Sequence, residues 1–201
     1  MKVGLSSEER IILMNKQYDD DRGGVDSNTV GVYRTAATVK GGRRFSFSSM
    51  VVCGDRQGRV GLGYGKANQV PNAIEKATKK AKREMREFPL TGTTIPHQVT
   101  GKFGACSVRL VPASPGTGVI AGAAVRAVLD LLGVQDCLSK AYGSTNNKNL
   151  TKAVMDGLRQ LRSRETVESL RKVQIDKTHT EKSHEAAPSV VTEEVTEEAT
   201  A

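Results

Sequence analysis

The chain has no tryptophan, and its other aromatic residues are four Tyr and four Phe. A core with so few rings has to be aliphatic and small, so 201 residues divide more naturally into two modest units than into one large one. Cysteine is scarce as well. Cys53, Cys106 and Cys137 are odd in number and show no C-x-x-C spacing, which argues against a disulfide framework or a zinc finger and fits a reducing compartment. His97, His179 and His184 are too scattered for a metal cluster, so neither a metal nor a cofactor is expected. No apolar run approaches the ~20 residues of a spanning helix. The polar start, with Glu8, Glu9, Asp19, Asp20 and Asp21, is expected to be no signal or transit peptide. Neither G-x-S-x-G nor H-E-x-x-H occurs, and the expectation is a protein that is not an enzyme.

Charge is what the chain does have. The net charge is +8, but seven acids against two lysines leave residues 176–201 at −5, so the first 175 residues carry +13. A body that basic favours a polyanion, usually nucleic acid. The acidic tail, 174–201, lacks periodicity and reads as disordered; residues 1–24 read as a flexible extension.

Between these ends lie two patterned regions. Residues 30–65 alternate as a three-stranded antiparallel meander, with turns at Gly41-Gly42 and at 55–58. Pro71 then marks a first helical turn. Ile74, Ala77, Ala81, Met85 and Phe88 recur on one face of a helix over 71–88, opposite Lys76, Lys79, Lys80, Lys82, Arg83 and Arg86. This unit, 25–88, is sheet plus one amphipathic helix. Residues 89–94 read as a linker. The second unit, 95–173, predicts strands at 95–101, 105–111 and 134–142, and helices at 119–132, 150–161 and 165–173. The fold class is therefore α+β. The Gly- and Ser-rich sheet face away from the first helix reads as a protein contact.

Several constellations invite phosphate. Lys40, Arg43 and Arg44 surround Gly41-Gly42 at a hairpin tip, with Phe45 and Phe47 following at strand spacing. Such a tip offers cations and backbone N–H groups to a phosphate, and rings to a base. Arg56 and Lys66 lie near turns of the same sheet. The 58–66 segment superficially resembles a phosphate loop but has Val60 and Ala67 where Gly and Ser or Thr are required. Its glycines 61, 63 and 65 share one strand face, open to close backbone or RNA approach. Gly116-Thr117-Gly118 with Ala121 matches G-x-G-x-x-A, ahead of the predicted helix and twenty residues before Asp136. Pro112 and Pro115 spoil the tight turn of a dinucleotide fingerprint, yet glycines at a helix N-terminus would still bind a phosphate. Finally, Tyr142, Ser144, Thr145, Asn146 and Lys148 offer donors and a ring ahead of a helix, where plain capping by Asn146 or Asn147 is the simpler reading.

Four of these strings, in this order, resemble one family. They are V-K-G-G-R-R-F-S-F (39–47); G-R-V-G-L-G-Y-G-K-A (58–67) with V-P-N-A-I-E-K-A (70–77); P-A-S-P-G-T-G-V-I-A-G (112–122) with V-R-A-V-L-D (125–130); and K-A-Y-G-S-T-N (140–146). The family is that of bacterial small-subunit ribosomal protein number five, and the likeness covers about 25–172. The resemblance implies an N-terminal domain like a double-stranded-RNA-binding fold and a C-terminal βαβα-type domain. It also implies a cytoplasmic, non-enzymatic role in the small ribosomal subunit, with no membrane required. Contact with 16S rRNA, neighbours numbered four and eight, and a place near the point where messenger RNA enters follow from it, as do roles in decoding accuracy and, for the 40–43 loop, in spectinomycin response. Ala123 stands where many members have Gly.

Overall fold

The structure, a computed structural model, describes residues 24–173; the readings made for the N-terminal extension and the acidic tail lie outside the described residues. The first sheet has the order β1-β2-β3-β4, built from Asp26–Val39 (β1), Gly42–Gly54 (β2), Arg59–Ala67 (β3) and Arg86–Glu87 (β4), all antiparallel. Helix α1, Val70–Arg83, crosses one face of it. The second sheet runs β5-β6-β8-β7, from Val99–Phe103 (β5), Cys106–Pro112 (β6), Val119–Ile120 (β7) and Cys137–Gly143 (β8). Helices α2 (Ala123–Leu132) and α3 (Asn147–Arg159) belong to this half, with α3 packed on β5 and β6, and α4 (Arg164–Arg171) follows.

Helix α1 begins where Pro71 predicts but ends at Arg83, with Glu84 as its cap. Met85 and Phe88 therefore leave the helical face assigned to them. Pro89 disfavours helical geometry at residue 88, and Arg86–Glu87 gains strand pairing with Arg59 and Val60. Phe88 is buried all the same, its N–H donating to the Gly58 carbonyl at 2.9 Å. The helix expected over 119–132 also starts later. Val119 and the β-branched Ile120 pair in parallel with Cys137 and Leu138, and Gly122 is the N-cap.

The small residues decide how close the layers come. On α1, Ala73, Ala77 and Ala81 are fully buried. They face Gly65, Gly63 and Gly61, and a Cβ at Gly63 would overlap the Ala77 carbonyl. The glycine stripe is thus a seat for a helix backbone, and the alternative of RNA approach is ruled out there. The same device recurs where α3 crosses β5, since a Cβ at Gly101 would strike Ala153 and Gly157.

The other face of the first sheet carries Met50, Val52, Val60 and Leu62. The sequence reading made it a contact for another protein, but much of it is covered by this chain's own second half. Val52 and Val60 share one core cluster with Leu110, Val128, Leu132, Val154 and Leu158, with Leu62 packed against it. Backbone bonds tie the halves: Arg56 N–H to Leu131 O at 3.0 Å, and Gly58 N–H to Leu132 O at 2.9 Å. Gly133, at φ 94°, ends α2 in the left-handed conformation, so tightly against Arg56 that a Cβ would overlap its carbonyl.

Gly63→Ala is expected to cost about 3 kcal/mol in urea unfolding, because the clash is with backbone that cannot rotate away. Gly41→Ala, whose Cβ would meet nothing within 4 Å, is expected to stay within about 0.5 kcal/mol of the parent. A second prediction concerns the thiols. Burial pushes Cys53 and Cys137 up to about 11 from 9.0, for Cys53 despite the opposing charge of Lys82. The unfolded thiols ionise first, so stability contributed by these groups is present below pH 9 and is lost as pH rises toward about 11. Maleimide should leave both thiols unlabelled in native protein at neutral pH and label both in urea; fast native labelling would contradict their burial.

Candidate nucleic-acid interface

β1 and β2 outrun the sheet they belong to. Their exposure changes sharply along the strand: residues 48–54 are buried, whereas 42–45 are exposed, as are 36–39 on the partner strand. About six residues of each strand project, a reach of roughly 20 Å. The two-residue turn consists of Lys40 and Gly41. Gly42 already pairs with Val39 and is the one with positive φ, at 135°, whereas Gly41 needs none. Lys40, Arg43 and Arg44 are all exposed, and residues 31–54 contain no acid.

Phe45, 47% exposed, does not enter a core. The Arg34 guanidinium lies 3.6 Å from its ring centroid, a cation–π stack that extends the cationic strip down the ribbon. Arg34 was absent from the sequence reading. Arg34 pairs with Phe47, which places it diagonally opposite Phe45 on the same face; the turn expected at Gly41-Gly42 would have set it opposite Ser49 instead, so the stack depends on the Lys40-Gly41 turn. At the ribbon's base, Lys66 and Lys76 line a shallow pocket of about 420 Å³ with Ser46, Asn68 and Asn72.

The other sequence-predicted residues are not brought to the tip. Arg56 lies past the far end of β2, some 40 Å away by strand length, and its guanidinium pairs with Asp26 at 2.7 Å. The geometry expected for Gly116, Thr117 and Gly118 is not found. They do not open a helix, since β7 intervenes and α2 begins only after Gly122. The Gly118 N–H donates to Asp136 Oδ1 at 2.9 Å, and the Thr117 N–H and hydroxyl both donate to the Ser114 carbonyl. The Gly118 N–H, one of the donors expected to face a phosphate, is thus taken by a carboxylate of the same chain. Asp136 itself is buried and accepts from the Thr93 hydroxyl at 2.8 Å, a structural clamp of the 91–94 crossing.

The last cluster divides. Asn146 caps α3, accepting from the Lys148 N–H at 3.2 Å, and Ser144 accepts from the Asn146 N–H at 3.4 Å, as the capping reading predicts. Tyr142 and Thr145 remain exposed. Lys148 turns inward to the first sheet: its Nζ sits 4.3 Å from the Tyr33 ring, 5.1 Å from the Tyr64 ring and 3.4 Å from Ser48 Oγ. A hydrogen bond with Ser48, aided by the Lys148 and Lys66 charges and opposed by partial burial, holds the Tyr64 phenol below its ordinary value.

A sheet-and-helix pair fused through one core, with a bare cationic ribbon thrown out from it, defines a basic α+β protein built to lie against a polyanion. Comparison with known proteins gives the family. Residues 25–89 match the N-terminal domain of ribosomal protein S5, and residues 101–171 match its C-terminal domain. Among relatives named small ribosomal subunit protein uS5, that of Syntrophobacter fumaroxidans is 57% identical over 142 residues, covering 71% of this chain and 86% of the relative. That of Thermus thermophilus is 56% identical over 141 residues (70% and 87%), and that of Psychromonas ingrahamii 45% over 163 residues (81% and 98%). The chain belongs to the ribosomal protein S5 family, as the sequence resemblance led us to expect.

Lys148→Ala is expected to lower stability by about 1 kcal/mol in urea unfolding. It should also move the Tyr64 phenol titration upward toward its ordinary value. An unmoved titration would show that the lysine does not reach the ring.

Proposed function

We propose that the protein is a non-enzymatic constituent of the cytoplasmic small ribosomal subunit that binds 16S rRNA through its projecting ribbon. The observation that carries this is the acid-free hairpin, with Lys40, Arg43 and Arg44 at its tip and Arg34 stacked on Phe45 behind them. Cations and backbone N–H groups engage phosphates or a groove, while Gly41 and Gly42 keep the tip narrow enough to enter one. Lys66, with Lys76 at the ribbon's base, extends this strip; Tyr142 and Thr145 form a separate, smaller contact. In this reading residues 25–88 act as the double-stranded-RNA-binding-like unit, joined through 89–94 to the unit at 95–173.

Family membership supports the setting: rRNA around the protein and ribosomal proteins beside it. Within that setting we assign neighbours numbered four and eight, proximity to entering messenger RNA, and a role in decoding accuracy. The outer face of the second sheet, where Ile120 is 55% and Leu138 38% exposed, suits one of the protein contacts.

The test is filter binding to a 16S rRNA transcript over a range of salt. Arg43→Ala and Arg44→Ala should each weaken binding and flatten the dependence of log K on log salt by about one unit for every phosphate no longer neutralised. A slope identical to the parent's for both variants would refute the ribbon as the RNA contact.

A further inference from the structure

A cleft of about 570 Å³ opens between the two halves, away from the ribbon. Its floor is apolar, made by Met50 and Leu62 of the first sheet and Met155 of α3. Its rim is cationic from both sides: Arg83 at the end of α1 and Arg86 in β4, with Lys152 and Arg159 on α3. All four are exposed, and none of them forms an ion pair among the described residues. The two acids on the rim have partners of their own, Glu84 in Lys80, which also lines the cleft. Glu84 lies 3.8 Å from Lys80, and Asp156 accepts from the Lys102 N–H at 3.1 Å and from Gln160 at 3.0 Å. Rings complete the walls: Phe103 is 41% and Tyr64 40% exposed, and Lys152 Nζ sits 4.7 Å from the Phe103 centroid.

We infer that this cleft is a second RNA site, holding one or two nucleotides of an unpaired rRNA segment, with the guanidiniums on phosphates and a base against Phe103 or Tyr64. Three uncompensated guanidiniums favour phosphate, because their planar forks bind it bidentately. The half-exposed rings give a base somewhere to stack, a feature that an acidic peptide would leave unused. The volume falls within the roughly 300–1,000 Å³ of ordinary ligand clefts and suits a nucleotide rather than a duplex. From sequence Arg83 and Arg86 fall on the basic stripe of a helix over 71–88, and no local pattern shows that the ends of α1 and α3 meet at one opening. The inference rests on the RNA-binding reading above and adds a site to it.

The experiment uses the full chain and a 16S rRNA transcript, and compares three proteins: the parent, the tip variant (Arg43→Ala with Arg44→Ala) and a cleft variant (Arg83→Ala, Arg86→Ala and Arg159→Ala). The cleft variant is expected to bind about tenfold more weakly at physiological salt, with its salt slope reduced by about 0.7 for each phosphate it leaves unneutralised. The corresponding Arg→Lys triple variant should keep the slope, which separates a loss of charge from a loss of folding. A photoreactive phenylalanine analogue at position 103 should yield an RNA adduct. If the cleft variant binds like the parent while the tip variant is weakened, the second site is refuted and the ribbon stands. If the parent itself ignores the transcript, the proposed function fails first. A crosslink from position 103 to protein, including residues 176–201 of this chain, would also overturn the inference.

Discussion

Helix α1 lies nearer its sheet than side chains normally permit, and much else follows from that closeness. Ala73, Ala77 and Ala81 meet glycines at 65, 63 and 61, so the layers touch backbone to backbone. With few aromatic residues to fill space, the chain packs by removing bulk rather than adding it. Interiors are close-packed, and a small aliphatic core reaches that density only if its layers come together. The second half repeats the arrangement at Gly101 against α3, and the seam between the halves repeats it at Gly133 against Arg56.

Because both faces of β2 are used, one by α1 and the other by the second half, residues 48–54 are buried throughout. That leaves the other end of the strand with no partner layer. The contrast is written in composition: M-V-V-C-G at the buried end, G-R-R-F at the free end. The charged segment is thereby held clear of the body by the burial of its own continuation, and no acid in it competes with phosphate oxygens for its cations.

Much of this was legible in the sequence. Alternation located β1, β2 and β3, Pro71 located the start of α1, and Asn146 was a recognisable cap. What stayed hidden depended on partners distant in the chain. Arg86–Glu87 became strand because Arg59 and Val60 offered a ladder, and Val119–Ile120 did so because Cys137 and Leu138 did. Local pattern cannot see either pairing, and local propensity yields to both. The 116–118 loop departs from expectation for a related reason: its glycines do take positive φ at 116 and 118, as a phosphate loop might, but the Gly118 N–H serves an anion of the same chain, Asp136. Lys148 reads as an RNA ligand on its charge alone, whereas two tyrosines one hundred or so positions away have already claimed it.

The seam between the halves has one more consequence. Two backbone hydrogen bonds, a shared aliphatic core and a lysine held between tyrosine rings leave little freedom for the sheets to swing against each other. The molecule therefore works as a fixed gauge: the ribbon tip at one extremity and the outer sheet face at the other keep a set separation and bearing. Anything that touches both the tip and that face meets them at one fixed spacing, set by the burial between the halves.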